Sequence, residues 1–462
     1  MTGPMPARDP HHILAEKLTA KAPNGQKITF MGAHAFGDAR LRRYELDNGL
    51  KVLLLADRSA PTCAYFTWYN VGSRHEKPGK TGLAHLFEHL MFNETESLAA
   101  GEFDRKLEES GAESNAATWV DWTYYYEALP KDRLSLAVKL ESERMAHLVL
   151  REPQVKSEKE VVANERRYRV DDDVEGATNE LLYKTAFTRH PYHWPTIGWM
   201  EDIQGFTPED CERFYRTFYA PNNAVVVVVG DFNEAGLLGL IQRAYGPIPR
   251  AVIPPDDALP EPPQLEERSL TVTKPTATEK LVLGYHGPAL GDADHAVLTV
   301  LNEVLFGGRA SRLHRALVID TETCIDVRGW VSTYRDTGLY EMYATARAGK
   351  TTDEILGILD REIARTKEEV VSEDELARAK ARLELSLLQS LETMSGKAEQ
   401  IGFFETVLGE PAAAFRRLEG YRHATASDLR KAARRYLPDG ARTIIRVLPE
   451  QVSLAVAPEH LQ

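Results

Sequence analysis

The chain has 462 residues, of which 43% are hydrophobic and 27% are charged, a composition typical of a globular protein that is too long for a single core. Its formal net charge of −13 and the lack of a dense Lys/Arg stripe argue against a nucleic-acid-binding protein. The three cysteines, Cys63, Cys211 and Cys324, form neither a CxxC pair nor a disulfide framework, which indicates a reducing compartment.

Residues 1–39 are predicted to be an N-terminal extension. They contain no apolar run long enough for a signal peptide or a membrane span. We therefore expect a cytoplasmic protein, or a periplasmic one if a leader has been removed. His11 and His12 lie in this polar stretch, where we expect solvated side chains rather than metal ligands.

Residues 82–97, GLAHLFEHLMFNETES, combine an apolar helical pattern with two histidines and a glutamate. His85 and His89 are four residues apart, so a helix would place both imidazoles on one face. Glu88 lies near the same face. Two imidazoles, with a carboxylate beside them that can take a proton from water, favour a catalytic zinc site over two buried core histidines.

A catalytic zinc usually has three protein ligands and one position for water, so a third ligand must come from elsewhere in the chain. The charged, helix-like segment 155–173 contains the best candidates. Glu158 and Glu165 are seven residues apart, which is two helical turns along one face. Spacing alone leaves Glu158, Glu160 and Glu165 open, because a charged helix face is usually only solvated.

The chain contains two similar halves on either side of a proline-rich, acidic segment. This segment, residues 251–269, is predicted to be a linker between a first domain at 40–250 and a second domain at 270–462. Residues 207–232 and 425–450 share a threonine helix cap, a helix that ends near a tyrosine, a turn and a β-branched strand. We predict an α+β fold of two homologous halves, each a mostly antiparallel sheet covered by helices.

The second half is expected to lack zinc ligands. When the two halves are aligned, Thr299 and Glu303 fall where the first half has His85 and His89. A threonine and a glutamate at these positions cannot reproduce a pair of imidazole ligands.

The motif HLFEH and the later segment EKEVVANERR resemble the pitrilysin (insulinase-like) zinc metallopeptidases, which carry an inverted HxxEH motif. The resemblance extends over most of residues 40–450. It implies that Glu165 is the third ligand of one zinc per chain and that Glu158 is a second acidic residue of the catalytic site. It also implies two halves that close like a clamshell around a chamber.

By the same resemblance, Asn115, Ala116 and Ala117 belong to an edge strand beside the zinc and pair with the backbone of a peptide substrate. On composition alone, an ordinary core strand is the alternative. His190 and His193 lie in a proline-rich turn, and we expect them to fix a loop through hydrogen bonds rather than to bind metal.

The resemblance implies a zinc endopeptidase that cleaves peptides or small unfolded polypeptides, with Glu88 as the general base. In self-sufficient relatives an arginine and a tyrosine of the second half grip the substrate. Here the matching positions hold Val318 and Ile325, and Arg315 and Arg328 are each three residues out of register. We therefore expect a heterodimer in which a homologous subunit supplies the Arg/Tyr pair. The alternatives are a self-sufficient homodimer and a non-catalytic subunit that binds peptides or acts as a scaffold.

Overall fold

The computed structural model describes residues 9–22 and 25–450, so the beginning of the predicted N-terminal extension and the end of the predicted second domain lie outside the described residues. Within these ranges the chain forms two mixed β-sheets covered by helices, which confirms the predicted α+β class. No helix among the described residues is long and apolar enough to cross a membrane.

The first half contains a seven-stranded sheet. Its strands are β1 (Ile28–Phe36), β2 (Ala39–Leu46), β3 (Lys51–Ala56), β4 (Thr62–Tyr69), β5 (Glu113–Thr118), β6 (Thr123–Pro130) and β7 (Ala224–Gly230). They are arranged in the order β1-β2-β3-β7-β4-β6-β5, and all neighbours are antiparallel except β3 and β7. The central strand β7 is a buried run of valines, as expected for a strand covered on both faces.

The second half contains a five-stranded sheet. Its strands are β8 (Arg268–Lys274), β9 (Lys280–His286), β10 (Cys324–Val331), β11 (Leu339–Ala346) and β12 (Thr443–Pro449). The order β8-β12-β9-β11-β10 repeats β3-β7-β4-β6-β5 of the first sheet, and the parallel pair falls at the same place. The predicted duplication is therefore confirmed, with β1 and β2 as additional strands of the first sheet.

Helices surround both sheets. They are α1 (Pro10–Lys21), α2 (Leu83–Leu90), α3 (Glu102–Glu109), α4 (Leu134–His147), α5 (Glu152–Arg166), α6 (Val174–Ala186), α7 (Met200–Gln204), α8 (Pro208–Phe218), α9 (Glu234–Tyr245), α10 (Ala293–Phe306), α11 (Arg312–His314), α12 (Thr352–Glu368), α13 (Glu373–Ser390), α14 (Met394–Leu408), α15 (Ala413–His423) and α16 (Ala426–Tyr436). Thr207 and Thr425 cap α8 and α16 with the same reciprocal pair of side-chain to backbone hydrogen bonds, as their shared sequence pattern predicts.

The two halves exchange one helix each. Helix α14 of the second half packs on the first sheet, against a face that includes Phe66, Trp68 and Val227. Helix α6 of the first half packs on the second sheet, against a face that includes Val282 and Ile445. Each is the third α-helix after the equivalent strand, β6 or β11, so the exchange is reciprocal.

Gly402 allows α14 to approach the first sheet closely. A Cβ atom at this position would lie 1.9 Å from Trp68 Nε1, so a larger residue could not fit without a shift of the helix or the indole. Trp68 is buried, and its ring centroid lies 5.3 Å from that of Trp122 and 4.5 Å from that of Tyr124. This contact couples the position of α14 to an aromatic cluster of the first half.

A buried charge network also joins the halves. Arg74 is 4% exposed and contacts Asp121 of its own half at 3.1 Å. The same guanidinium lies 2.8 Å from Asp256 of the predicted linker and 2.7 Å from Asp336 of the second half. His190 Nε2 is 3.2 Å from the Asp336 carboxylate, a contact of the loop-fixing kind expected for this histidine.

The predicted N-terminal extension contributes to the first half. Helix α1 and strand β1 both lie within it, and β1 pairs with β2. His11 was expected to be solvated, and this expectation was wrong because α1 packs on β1 and brings the ring 3.0 Å from Tyr44 Oη and 3.3 Å from Glu234 Oε1. Strand β8 begins at Arg268, inside the last residues of the predicted linker.

Candidate metal centre and active site

Helix α2, which carries the histidine motif, is fixed by three contacts. Gly82 precedes its first turn with a φ of 97°, a left-handed conformation that favours glycine, and Ile197 O leaves no space for a Cβ there. The Glu76 carboxylate accepts two backbone N–H groups at the helix start, both at 2.8 Å. Tyr125 of β6 donates a hydrogen bond to Phe87 O at 3.0 Å. The sheet and the neighbouring loops thus set the orientation of the histidines.

His85, His89 and Glu165 come together in the structure, with their ligand atoms within 4.8 Å of one another. Glu165 Oε2 lies 3.3 Å from His89 Nε2 and 3.6 Å from His85 Nε2. This buried oxygen has no hydrogen-bond partner among the described residues, and a bound cation would satisfy it. Two imidazole nitrogens and a carboxylate oxygen form the donor set of many catalytic zinc sites, so the residues present fit a zinc ion.

The protonation preferences of His85 and Glu165 suit metal binding, whereas a cation would have to displace a proton that the Glu165 carboxylate favours on His89. Burial lowers the pKa of His85 to about 4. Burial also acts to lower the pKa of His89, but the adjacent Glu165 carboxylate outweighs it and the net shift is upward. Burial acts to raise the pKa of Glu165, yet the histidines hold it below its ordinary value. An ionised carboxylate beside a neutral His85 is ready to bind a divalent cation.

Glu88 lies on α2 directly before His89 and is partly buried. Burial raises the pKa of its carboxyl group, while the charge of His89 opposes that shift. A carboxyl group with a raised pKa beside a metal centre is suited to accept a proton and later return it.

Two further contacts position the predicted ligands. Glu158 lies 3.8 Å from His89 Nδ1, on the side of the ring opposite Nε2, and it accepts a hydrogen bond from Asn93 Nδ2 at 3.1 Å. Arg169 lies 3.0 Å from Glu165 Oε1 and so restrains the other ligand. Sequence reasoning missed Asn93 and Arg169, although each stands four residues after a predicted ligand, a spacing that places side chains on one helix face.

Strand β5 forms an edge of the first sheet next to α2, and among the described residues it pairs only with β6. Asn115, Ala116 and Ala117 lie in the middle of β5, opposite the three tyrosines of β6. Their backbone groups on the outer side face no further strand. This arrangement is able to accept an extended peptide through main-chain hydrogen bonds.

The structure brings together no second group of this kind among the described residues. Thr299 Oγ1 donates to His295 O at 2.7 Å, and Glu303 pairs with Arg382 on α13. Helix α10 of the second half therefore uses these positions for ordinary structural contacts.

The second half also lacks a free Arg/Tyr pair at the expected positions. Val318 packs against the core of the second half, and Ile325 is 58% exposed at the start of β10. Arg315 contacts an aspartate of its own turn at 3.6 Å, and Arg328 forms an ion pair with Glu175 at 2.6 Å. Both arginines thus already have carboxylate partners.

Comparisons with known proteins identify the family. The profile of Insulinase (Peptidase family M16) matches residues 51–198, and the profile of the Peptidase M16 inactive domain matches residues 205–383. Zinc protease PqqE of Helicobacter pylori is 30% identical over 439 residues, which cover 91% of this chain and 96% of that protein. The chain belongs to the M16 (insulinase) peptidase family. This confirms the predicted resemblance to the insulinase-like zinc proteases.

Two further relatives of this M16 chain match it over nearly its whole length. The crystal structure of a protease from Helicobacter pylori has a TM-score of 0.85 and 29% identity, and the match covers 89% of this chain and all of that one. The probable mitochondrial-processing peptidase subunit beta of Arabidopsis thaliana is 24% identical over 438 residues, covering 90% of this chain and 80% of that protein. The match to the inactive domain begins after the candidate metal ligands, all of which lie in the first half.

Proposed function

We propose that this M16 chain is a zinc-dependent endopeptidase subunit that cleaves peptides or small unfolded polypeptides. The observation that carries the proposal is the convergence of His85, His89 and Glu165 on one point, with Glu88 on the same helix. The zinc-binding domain would comprise residues 40–250. The domain at 270–462, joined to it by the linker at 251–269, would complete the chamber.

Each residue of the site has a distinct role. His85, His89 and Glu165 would hold one zinc ion, which when bound supplies a Lewis acid that polarises the scissile carbonyl and makes water more acidic. Glu88 accepts a proton from the attacking water and returns it to the leaving amine. Glu158 orients His89 from the far side of its ring.

The substrate would bind as an extra strand along β5. The backbone groups of Asn115, Ala116 and Ala117 would pair with an extended peptide and bring one of its bonds next to Glu88. Because main-chain pairing is independent of side chains, this binding mode suits unfolded polypeptides of varied sequence.

The proposal is tested by measuring zinc content and the turnover of a quenched, unstructured peptide. We expect the His85→Ala/His89→Ala double variant to lose both zinc and turnover. Glu88→Gln should keep zinc while turnover falls by about 10²–10⁴-fold, since it removes only the general base. Glu160→Gln, an exposed change on α5, is the matched control. Full zinc occupancy in the double variant would refute the assigned ligands.

A homologous partner subunit would supply the missing substrate contacts. Two observations support a partner. Val318 and Ile325 stand where an Arg/Tyr pair is expected. One relative is named as a subunit of a processing peptidase. Adding a homologue that has an intact Arg/Tyr pair should raise turnover by on the order of 10²–10³-fold. Val318→Arg with Ile325→Tyr should recover part of this gain. Equal turnover by this chain alone and by the mixture would instead favour a self-sufficient homodimer.

A non-catalytic peptide-binding subunit is the second candidate. It is favoured by the absence of the Arg/Tyr pair and by the match of the second half to the inactive domain. This function predicts zinc and peptide binding without turnover, even after the partner has been added.

A further inference from the structure

A cavity of about 440 Å³ lies between the first sheet and helices α13 and α14. Six aromatic side chains form part of its walls, among them Trp122, Trp330 and Phe403. One carboxylate, that of Glu399 near the start of α14, also lines the cavity. Aromatic faces around a single carboxylate provide a favourable environment for a cation.

Glu399 has no partner among the described side chains, unlike its charged neighbours on α14. Lys397 pairs with Asp57 at 2.6 Å, and Glu405 pairs with Lys51 at 2.9 Å. Glu399 is solvent-exposed, yet the protein around its carboxyl group raises the pKa of that group, and no neighbouring cation opposes the shift. The Glu399 carboxylate therefore has no ion-pair partner among the described residues.

The basic side chain that lines the cavity, Arg417, is engaged through two of its three guanidinium nitrogens, while its Nη1 has no hydrogen-bond partner among the described residues. Arg417 donates two hydrogen bonds to Tyr421 Oη, at 2.9 and 3.3 Å. Its charge does not contribute to the pKa shift of Glu399. The cavity thus offers its carboxylate and its aromatic walls to a ligand.

The cavity lies beside the face of the β5–β6 hairpin that carries Tyr124, because Trp68 and Trp122 of its wall belong to the same apolar cluster as Tyr124. Ala117 lies opposite Tyr124 across the two strands, so their side chains point to the same face. The ring of Tyr124 lies 5.3 Å from that of Trp122, in the cavity wall. Burial raises the pKa of Tyr124, and the charges of Glu399 and of Glu88 raise it further, so this tyrosine lies within electrostatic reach of both carboxylates.

A peptide that extends the sheet along β5 would direct every second side chain toward this face. We propose that the aromatic cavity is a specificity subsite that accepts a cationic side chain, arginine or lysine, of the bound peptide. Glu399 selects this side chain. The inference rests on the proposed function. The aliphatic stem of the side chain would lie against the aromatic walls, and its charged end would meet the Glu399 carboxylate.

The test uses pairs of peptides that differ in one residue, arginine against its neutral isostere citrulline, placed at each position in turn. The full chain, alone and mixed with the homologous partner, is assayed for the ratio of kcat/KM between the two peptides. The Kd ratio is measured separately on the Glu88→Gln variant, by tryptophan fluorescence and by anisotropy of a labelled peptide. Glu399→Gln is compared with Glu392→Gln, which makes the same charge change at an exposed residue outside the cavity.

We expect the unmodified chain and Glu392→Gln to prefer arginine over citrulline at one position by roughly tenfold in both ratios. Glu399→Gln should reduce that preference to about one, and Glu399→Lys should shift it toward a glutamate peptide. An unchanged preference in Glu399→Gln would overturn the inference, as would the absence of any arginine preference in the unmodified chain. If binding discriminates but no peptide is cleaved even after the homologous partner is added, the proposed hydrolysis fails and the subsite stands. If peptides are cleaved without discrimination, the subsite fails.

Discussion

At the scale of single residues, helix geometry explains which glutamate completes the candidate metal site. An α-helix turns by about 100° per residue, so seven residues bring Glu158 and Glu165 almost back to one face. Glu160 points elsewhere and is exposed, whereas Glu165 meets both histidines. Spacing predicted the face but not the residue, because both Glu158 and Glu165 lie on it. The choice of Glu165 came from the family resemblance.

Replacing Glu158 should weaken metal binding without abolishing it. Glu158→Gln removes the carboxylate that lies 3.8 Å from His89 Nδ1, so the ring should lose part of its orientation and basicity. We expect zinc affinity to fall about 10–100-fold, as measured by competition with a chromogenic chelator. Glu160→Gln again serves as the control. An unchanged affinity in Glu158→Gln would show that this glutamate does not support the ligand.

At the scale of elements, the sequence predicts the helices and strands better than their placement. The repeated cap–helix–turn–strand pattern predicts α8, β7, α16 and β12 and their equivalence. The exchange of α6 and α14 was not predicted, because an apolar stripe shows that a helix is covered but not which sheet covers it. Neither did composition show that β1 belongs to the first sheet, since an edge strand with alternating exposure resembles a polar extension.

Gly402→Ala tests the contact between α14 and the first sheet. The added Cβ would meet Trp68 Nε1, so either the helix or the indole must move. We expect the free energy of unfolding to fall by about 1–3 kcal/mol, with altered tryptophan fluorescence. Gly357→Ala on α12 is the matched control, because its Cβ would meet only Arg361 at 3.7 Å and should stabilise by up to about 1 kcal/mol. Equal effects of the two substitutions would contradict the proposed close contact.

At the scale of the whole molecule, the halves are held together by apolar helix exchange and by the charge network around Arg74. Asp336 shows the strength of that network. A hydrogen bond from His190, together with the charge of Arg74, holds the pKa of its carboxyl group at about 2, below the ordinary value of 3.8. Because the pKa is lower in the folded state, this carboxylate stabilises the fold above about pH 4 and ceases to do so as the pH falls toward 2.

The free energy of unfolding should therefore respond to pH in a specific way. The difference between the unmodified chain and Asp336→Asn should be constant above about pH 4 and should shrink as the pH falls toward 2. Urea titrations at a series of pH values measure this difference. Asp132→Asn is the control, since Asp132 is exposed and its ion pair within residues 9–22 and 25–450 is a long one, 3.9 Å to Arg133. A difference for Asp336→Asn that stays constant across the whole range would contradict the assigned ion pairs.

The reciprocal placement of α6 and α14 has the geometry of a domain swap contained within one polypeptide. One face of each sheet is covered by a helix of the other half, so each half made alone would leave that apolar face in water. Two fragments, residues 1–255 and 256–462, should aggregate when expressed separately and reconstitute a one-to-one complex when co-expressed. Soluble, monomeric fragments would show that the swap is dispensable. If the fragments do complement each other, the covalent link is needed to pair the halves efficiently rather than to fold them.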